Sequence, residues 1–243
     1  MDNVVLLDAV DSTHAMAKRL IADMDGEGQD LRSSLIVADR QDSGEGRGGR
    51  HWESPLGGLY LNWLRSGLEA EIVELLPMIA ASAALSAVAG IEIENARIKW
   101  PNDILVADKK LAGMLVFARH GETIWVTVGL GINVATEPVL HDDEAMPATS
   151  MSSILGDGDD DARRRALAYT FVEALTSSIE DPQPALDFWR RNLIHRPGDA
   201  IRVRLASGTI VAGTLQDLTP EGHLVVRDGN DDRVLTGGDI IER

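Results

Sequence analysis

The sequence predicts an α+β protein in two parts: a mixed α/β region over residues 1–196 and a small all-β region over residues 197–243. Three observations predict it. In the first part, short apolar runs at residues 4–7 and 35–38 flank a helical row, Met16, Leu20 and Met24, spaced four apart. Further on, residues 110–118 and 123–130 read as two strands of a hairpin across Arg119-His120-Gly121-Glu122. After Arg196-Pro197-Gly198 the pattern changes to five short strands. Ser207-Gly208, Pro220-Glu221-Gly222, Asp228-Gly229-Asn230 and Gly237-Gly238 separate them, which is the pattern of a small barrel.

Each element has a local reason. Asp11-Ser12-Thr13 offers three side chains that cap a helix, so the helix carrying Met16 starts there. Residues 59–64 place Leu59, Leu61 and Trp63 on one face of a strand. Pro77 is expected to open an alanine-rich helix that reaches Val88 and ends at Gly90. Residues 96–100 form a strand stopped by Pro101-Asn102-Asp103, and residues 104–106 pair back over that turn. Gly129-Leu130-Gly131-Ile132-Asn133 closes the second hairpin strand, and its two glycines imply that something packs closely on the backbone. The acids from Asp157 to Asp161 start a helix through Ile179, where negative charge suits the dipole. Leu167, Phe171, Leu175 and Ile179 are its core face, and Leu186, Trp189 and Leu193 mark a shorter helix after it.

Composition excludes several function classes. With 243 residues, 44% hydrophobic and 26% charged, the chain is that of a folded globular protein. Its 23 basic against 39 acidic residues give a net charge of −16, which repels nucleic acid, so no DNA partner is expected. The acid runs Asp142-Asp143-Glu144 and Asp157 to Asp161 are expected to be solvated. The absence of cysteine removes disulfides, thiol catalysis and cysteine–zinc sites, and it suits a reducing cytoplasm. No signal peptide or long apolar run is evident, so no membrane partner is expected.

One stretch concentrates candidate chemistry: Gly44-Glu45-Gly46-Arg47-Gly48-Gly49-Arg50-His51-Trp52. Glycine lets the backbone press its N–H groups on a ligand, and arginine offers a planar fork that matches phosphate or carboxylate oxygens. By residue type alone the stretch is equally a solvated loop. It is neither a Rossmann fingerprint nor a P-loop, since no Gly-Lys-Ser/Thr ends it.

Taken with two more motifs, this stretch identifies a family resemblance. Lys99-Trp100-Pro101-Asn102-Asp103-Ile104 and Lys110-Leu111-Ala112-Gly113-Met114-Leu115 follow it in the order and spacing of the biotin protein ligases. Asp11-Ser12-Thr13, Gly129-Leu130-Gly131-Ile132-Asn133 and the small C-terminal barrel also resemble that family, so nearly the whole chain is covered. The resemblance implies a mixed, largely antiparallel sheet flanked by helices, as in class II aminoacyl-tRNA synthetases, followed by an SH3-like barrel. It implies the form without the family's N-terminal DNA-binding domain, because Asp11-Ser12-Thr13 lies so near the start.

The implied function is two-step. Biotin's carboxylate attacks the α-phosphorus of MgATP to give biotinyl-5′-AMP and pyrophosphate. A lysine of the biotin carboxyl carrier domain of a carboxylase then displaces AMP. The implied catalytic residues are Arg47, Lys110 and Asp103. Implied biotin contacts are Ser12, Thr13, His14, Gln41, Glu45, Gly46, Arg47, Trp52, Lys110, Gly113 and Gly131. Implied ATP contacts are Arg47, Arg50, Trp52, Asn102, Lys110, Asn133 and Arg243. Mg²⁺ is expected to ride on phosphates and water, with no dedicated protein ligands. Other readings stay open for some residues: helix capping for Ser12 and Thr13, a solvated lysine for Lys110, and an Asx-type turn for Asn102.

The chain departs from the family at several positions. Glu45 stands where arginine is usual, and it is expected to point away and pair with Arg50 or Arg40. Gly48 replaces a frequent arginine, His14 an asparagine and Phe117 an acidic residue. Ala148 stands where some members carry a tryptophan against adenine. The expectation is a cytoplasmic biotin–carrier-protein ligase, monomer or homodimer. The alternatives are a lipoate or octanoate transferase on the same fold and a non-catalytic biotin-binding module.

Overall fold

The structure is a computed structural model that describes residues 3–27, 33–139 and 146–242. Asp142-Asp143-Glu144 and Arg243 lie outside the described residues. The first part is a seven-stranded sheet. Its strands are β1 (Asn3–Leu7), β2 (Ser34–Ala38), β3 (Leu59–Ser66), β4 (Arg97–Lys99), β5 (Asp103–Val106), β6 (Lys109–Arg119) and β7 (Trp125–Ile132). They run in the order β1-β2-β3-β7-β6-β5-β4. Among the described ladders of this sheet, only that of β1 and β2 is parallel and the others are antiparallel. This is the mixed, largely antiparallel sheet that the resemblance implies.

Strand alternation divides the sheet into two faces. Leu35, Leu61, Trp63, Val126 and Val128 join the large core, whereas Ile36, Leu64 and Trp125 join a smaller cluster with Ala17 and Ile21 of α1 (Thr13–Glu27). The fully buried line of α1 is Ala17 and Ile21, while Met16, Leu20 and Met24 flank it half-buried. The spacing is as read, but the contact line lies one position on, where small Ala17 brings the helix close to the sheet.

The large core is covered by α2 (Ala70–Ala89), α4 (Asp160–Glu180) and α5 (Gln183–Asn192), with α3 (Met151–Leu155) as a short turn before α4. Helix α2 starts seven residues earlier than Pro77, which lies inside it. An interior proline costs roughly 3 kcal/mol, but Val73 and Leu76 in the added turns are buried. Burying two such side chains contributes about 3–6 kcal/mol, enough to keep the helix whole. Contrary to the expectation of no long apolar run, α2 is long and apolar enough to cross a membrane, but most of it is buried as a core helix. Ser82 Oγ donates to Ala185 O at 2.7 Å and ties it to α5. Asp159 caps α4 by accepting from Ala162 N at 2.9 Å, and Leu167, Phe171, Leu175 and Ile179 are buried as expected.

Beyond Gly198, whose φ is +98°, come β8 (Ala200–Arg204), β9 (Ile210–Leu218), β10 (Leu224–Asp228), β11 (Asp231–Leu235) and β12 (Asp239–Glu242). They form an antiparallel sheet in the order β11-β10-β9-β8-β12. β11 and β12 are the two ends of the described order, and the five short strands of this sheet are those that the sequence predicts. Its apolar residues, among them Val203, Leu215 and Val226, are continuous with the large core. Trp100 Nε1 donates to Gly222 O at 2.9 Å across the junction, and a Cβ on Gly222 would come within 2.5 Å of Met78 Sδ. The second sheet is therefore fixed against the first.

Candidate active site

A cavity of about 1030 Å³ opens on the α1 side of the main sheet. Its floor follows from register. Gly131 of β7 pairs with Gly113 of β6, and Gly129 pairs with Leu115. The period of two puts all four on the face that carries α1. The missing side chains make room for one group: a Cβ on Gly131 would lie 2.5 Å from the indole of Trp52, and one on Gly113 would lie 3.1 Å from it. The close packing that the glycines imply is thus Trp52. Its Nε1 is buried with no hydrogen-bond partner among the described residues.

The glycine stretch folds back on itself above this floor. Trp52 N donates to Gly44 O at 2.8 Å and Gly46 N to Arg50 O at 2.7 Å. Gly48 and Gly49 have φ of +66° and +76°, where a Cβ is strained. The turn brings two arginines to the cavity. Arg47 Nη1 donates to Asn102 Oδ1 at 3.3 Å and to Gly238 O at 3.2 Å, and it lies 3.5 Å from Asp239 Oδ1. Arg50 donates from Nη2 to the same Asp239 oxygen at 3.0 Å. Burial pulls the Arg47 guanidinium below its ordinary pKa, with Asp239 opposing the shift.

Lys110 begins the β6 face of the cavity. Its Nζ lies 2.8 Å from Asp103 Oδ1 and 5.1 Å from the centroid of the Trp52 ring. Its backbone bridges Ala148: Lys110 N donates to Pro147 O at 2.7 Å, and Thr149 N donates to Lys110 O at 3.0 Å. Asn133 is buried and donates from Nδ2 to Thr149 O at 2.9 Å, so its amide fastens this segment. Asn102 donates to Met114 O at 2.6 Å as well as accepting from Arg47. Its role is therefore to hold both the turn and the arginine, rather than an Asx-type turn alone.

The neutral polar group lies where α1 begins. Gln41 Oε1 accepts from Thr13 N at 2.8 Å and Thr13 Oγ1 at 3.0 Å, and Gln41 Nε2 donates to Ser54 Oγ at 2.8 Å. Ser12 Oγ accepts from Ala15 N at 3.2 Å, which makes it the helix cap. Capping and cavity lining are compatible, because Ser12 keeps its own O–H. His14 is buried beside them, with Nδ1 at 3.0 Å from Thr127 Oγ1 and 3.2 Å from Asn62 Nδ2. Phe117 packs edge-on against the His14 ring at 6.1 Å, so the two departures from the family pattern are neighbours.

The cavity gathers Ser12, Thr13, His14, Gln41, Glu45, Gly46, Arg47, Arg50, Trp52, Asn102, Asp103, Lys110, Gly113, Gly131 and Asn133. Arg243 is the one candidate that the described residues do not place. Glu45 differs from expectation: its carboxylate pairs with Lys18 of α1 at 2.7 Å, not with Arg50 or Arg40. Arg50 is engaged by Asp239, and Arg40 lies 3.7 Å from Asp42. Lys99 and Asp239 are among the lining residues that went unremarked as site residues. Lys99, whose pKa burial lowers, carried a signal as the first residue of its motif. Asp239 carried none, since only folding brings it to Arg47.

Similarity to known proteins agrees with this geometry. The model of the "Biotin/lipoate A/B protein ligase family" matches residues 9–133. The biotin–[acetyl-CoA-carboxylase] ligase of Mycobacterium tuberculosis is 29% identical, over 97% of this chain and 88% of its own. The bifunctional ligase/repressor BirA of Salmonella typhimurium is 30% identical, over 98% of this chain and 73% of its own. Among solved structures, the biotin protein ligase of Aquifex aeolicus in complex with biotin and ATP superimposes with a TM-score of 0.75. It is 25% identical and covers 99% of this chain and 98% of that one.

Proposed function

This chain belongs to the biotin/lipoate A/B protein ligase family, and on that premise we propose that it is an ATP-dependent ligase that adenylates biotin and transfers it to a lysine of a biotin carboxyl carrier domain. The observation that carries the reading is the pairing of two unlike polar groups in one cavity. Ser12, Thr13 and Gln41 are neutral, while Arg47, Arg50, Lys99 and Lys110 are cationic.

The neutral group fits a ureido ring. Ser12 O–H and the second Nε2–H of Gln41 are donors left over for a carbonyl, and Thr13 Oγ1 retains lone pairs for a ring N–H. Lipoate has no such ring, so it would strand these groups, which selects against it. The cationic group fits the reacting oxygens. A carboxylate attacking a phosphate brings two anions together, and fixed cations stabilise the charge that builds up. Lys110, aligned by Asp103, is the cation for the carboxylate and α-phosphate oxygens, and Arg47 forks onto the same group. Trp52 covers the glycine floor and keeps water from the mixed anhydride.

Among the described residues no three His, Asp or Glu side chains converge as a metal site. Three of the cavity's carboxylates are already paired: Asp103 with Lys110, Asp239 with Arg50 and Glu45 with Lys18. This donor set fits a Mg²⁺ ion held by the triphosphate and water, where it would neutralise the leaving pyrophosphate. In the second step the acceptor amine attacks the acyl carbon, AMP leaves as its phosphate, and Asp103 accepts the amine's proton.

The test is ATP–pyrophosphate exchange, which needs adenylation but no acceptor. Exchange is expected with biotin and not with lipoate. Exchange with lipoate alone would assign the other branch of the family, and none with either acid would leave a binding module.

A further inference from the structure

A second cavity, of about 170 Å³, lies at the junction of α2, the turn after β4 and the C-terminal sheet. It has walls in common with the first: Arg47, Asn102, Met114 and Leu115 line both. The hydrogen bond between Arg47 and Asn102 stands at this shared boundary. The rest of the lining includes apolar Trp100 and Val116 and the acids Glu74 and Glu221, with His223 and Thr236 beside them. Trp100 is locked by its bond to Gly222 O, so the cavity is a fixed feature of the junction. Glu74 is exposed on α2, and Glu221 is held ionised by a hydrogen bond from Thr219.

We propose that this cavity is the entry channel for the acceptor protein's lysine side chain. The inference rests on the ligase reading above and deepens it. A lysine is a cation on four methylenes, and the lining answers both parts: carboxylates for the ammonium and Trp100 and Val116 for the stem. The volume admits one side chain and no nucleotide. The channel's inner end is the Arg47–Asn102 boundary, on the far side of which the larger cavity holds Lys110 and Asp103. Arg47 then has a second effect. An ammonium next to a guanidinium is disfavoured against the free amine, so the lysine gives its first proton to solvent water as it advances. The free amine nitrogen bonds to the acyl carbon of biotinyl-AMP, the bond from that carbon to the phosphate oxygen breaks, AMP departs with the electron pair, and Asp103 takes the second proton from the nitrogen.

Three variants test the channel: the pair Glu74→Gln with Glu221→Gln, the pair Glu74→Lys with Glu221→Lys, and Val116→Trp, which fills the cavity without changing charge. Each is assayed for biotin-dependent pyrophosphate exchange. Each is also assayed for transfer from preformed biotinyl-AMP to a carrier domain that the wild-type chain accepts. Exchange should stay near wild type in all three, which also shows that they fold. Transfer should fall about tenfold for the glutamine pair, mainly in KM and less so at high salt. It should fall further for the lysine pair and for Val116→Trp. Unaltered transfer in the lysine pair and in Val116→Trp would overturn the channel, as would a parallel loss of exchange. A wild-type chain that shows no exchange would instead refute the ligase reading itself.

Discussion

Lys110 and His14 show how one position's surroundings set its chemistry. Lys110 Nζ is aligned by Asp103 at 2.8 Å and backed by the Trp52 ring, so its charge is fixed before substrate arrives. Lys110→Gln should leave the fold intact and cut exchange by on the order of a hundredfold or more; near wild-type exchange would remove Lys110 from the reaction. His14 is the opposite case. Burial, with Lys18 adding to it, holds its pKa down to about 4, against 6.5 for a free imidazole. Between those values the unfolded chain binds a proton that the folded chain refuses, so stability is lost as pH falls from 6.5 towards 4. Urea unfolding of wild type and His14→Asn at pH 7.5 and 4.5 checks this. The wild type should lose about 2 kcal/mol more than the variant, and equal losses would mean that His14 is not the buried neutral group. Glu45 is settled by its neighbour. Paired with Lys18 and about one-third exposed, it should tolerate Glu45→Arg at a stability cost of ~0–1 kcal/mol, with little change in biotinyl-AMP affinity by titration.

Among the elements, the β6–β7 ladder determines most. Its register aligns Gly113 with Gly131, and the single indole of Trp52 occupies the space they leave. Gly131→Ala puts a methyl 2.5 Å from that ring, so the indole must leave its seat. Such overpacking costs about 1–3 kcal/mol, and the fold should survive it. The loop that carries Arg47 should not keep its place, so exchange should drop sharply while circular dichroism stays unchanged. A variant with full exchange would show that Trp52 need not lie on the glycine floor. Helix α2 teaches a related point. Pro77 is a helix starter by local preference, yet tertiary burial of Val73 and Leu76 draws two further turns into the helix ahead of it.

Over the whole molecule, the C-terminal sheet completes the site. Asp239 opens β12, almost two hundred residues from the arginines it holds, and its carboxylate stands where phosphate oxygens are proposed to bind. On that proposal, nucleotide binding would exchange one anion for another on Arg47 and Arg50. Asp239→Asn should free the loop in the absence of ligand, and tryptic cleavage after Arg47 or Arg50 should quicken several-fold relative to wild type. Saturating biotin and ATP should restore protection. Equal cleavage of both free chains would show that Asp239 does not restrain the loop.

The sequence by itself determined what depends on near neighbours. A helix cap within Asp11-Ser12-Thr13, the β6–β7 hairpin, the Pro101-Asn102-Asp103 turn and the core face of α4 are all legible from spacing and residue type, because a few adjacent residues set each. The motif residues were legible through the family resemblance, since by residue type alone the glycine–arginine loop reads equally as a solvated loop and Lys110 as a solvated lysine. Only the tertiary structure decided the pairings. Lys18 for Glu45, Asp239 for Arg47 and Arg50, Thr127 for His14, and Trp52 over Gly131 are each contacts between segments distant in sequence. Charge and size alone leave many candidate partners for every such side chain, and sheet register and the packing of the second sheet on the first select one.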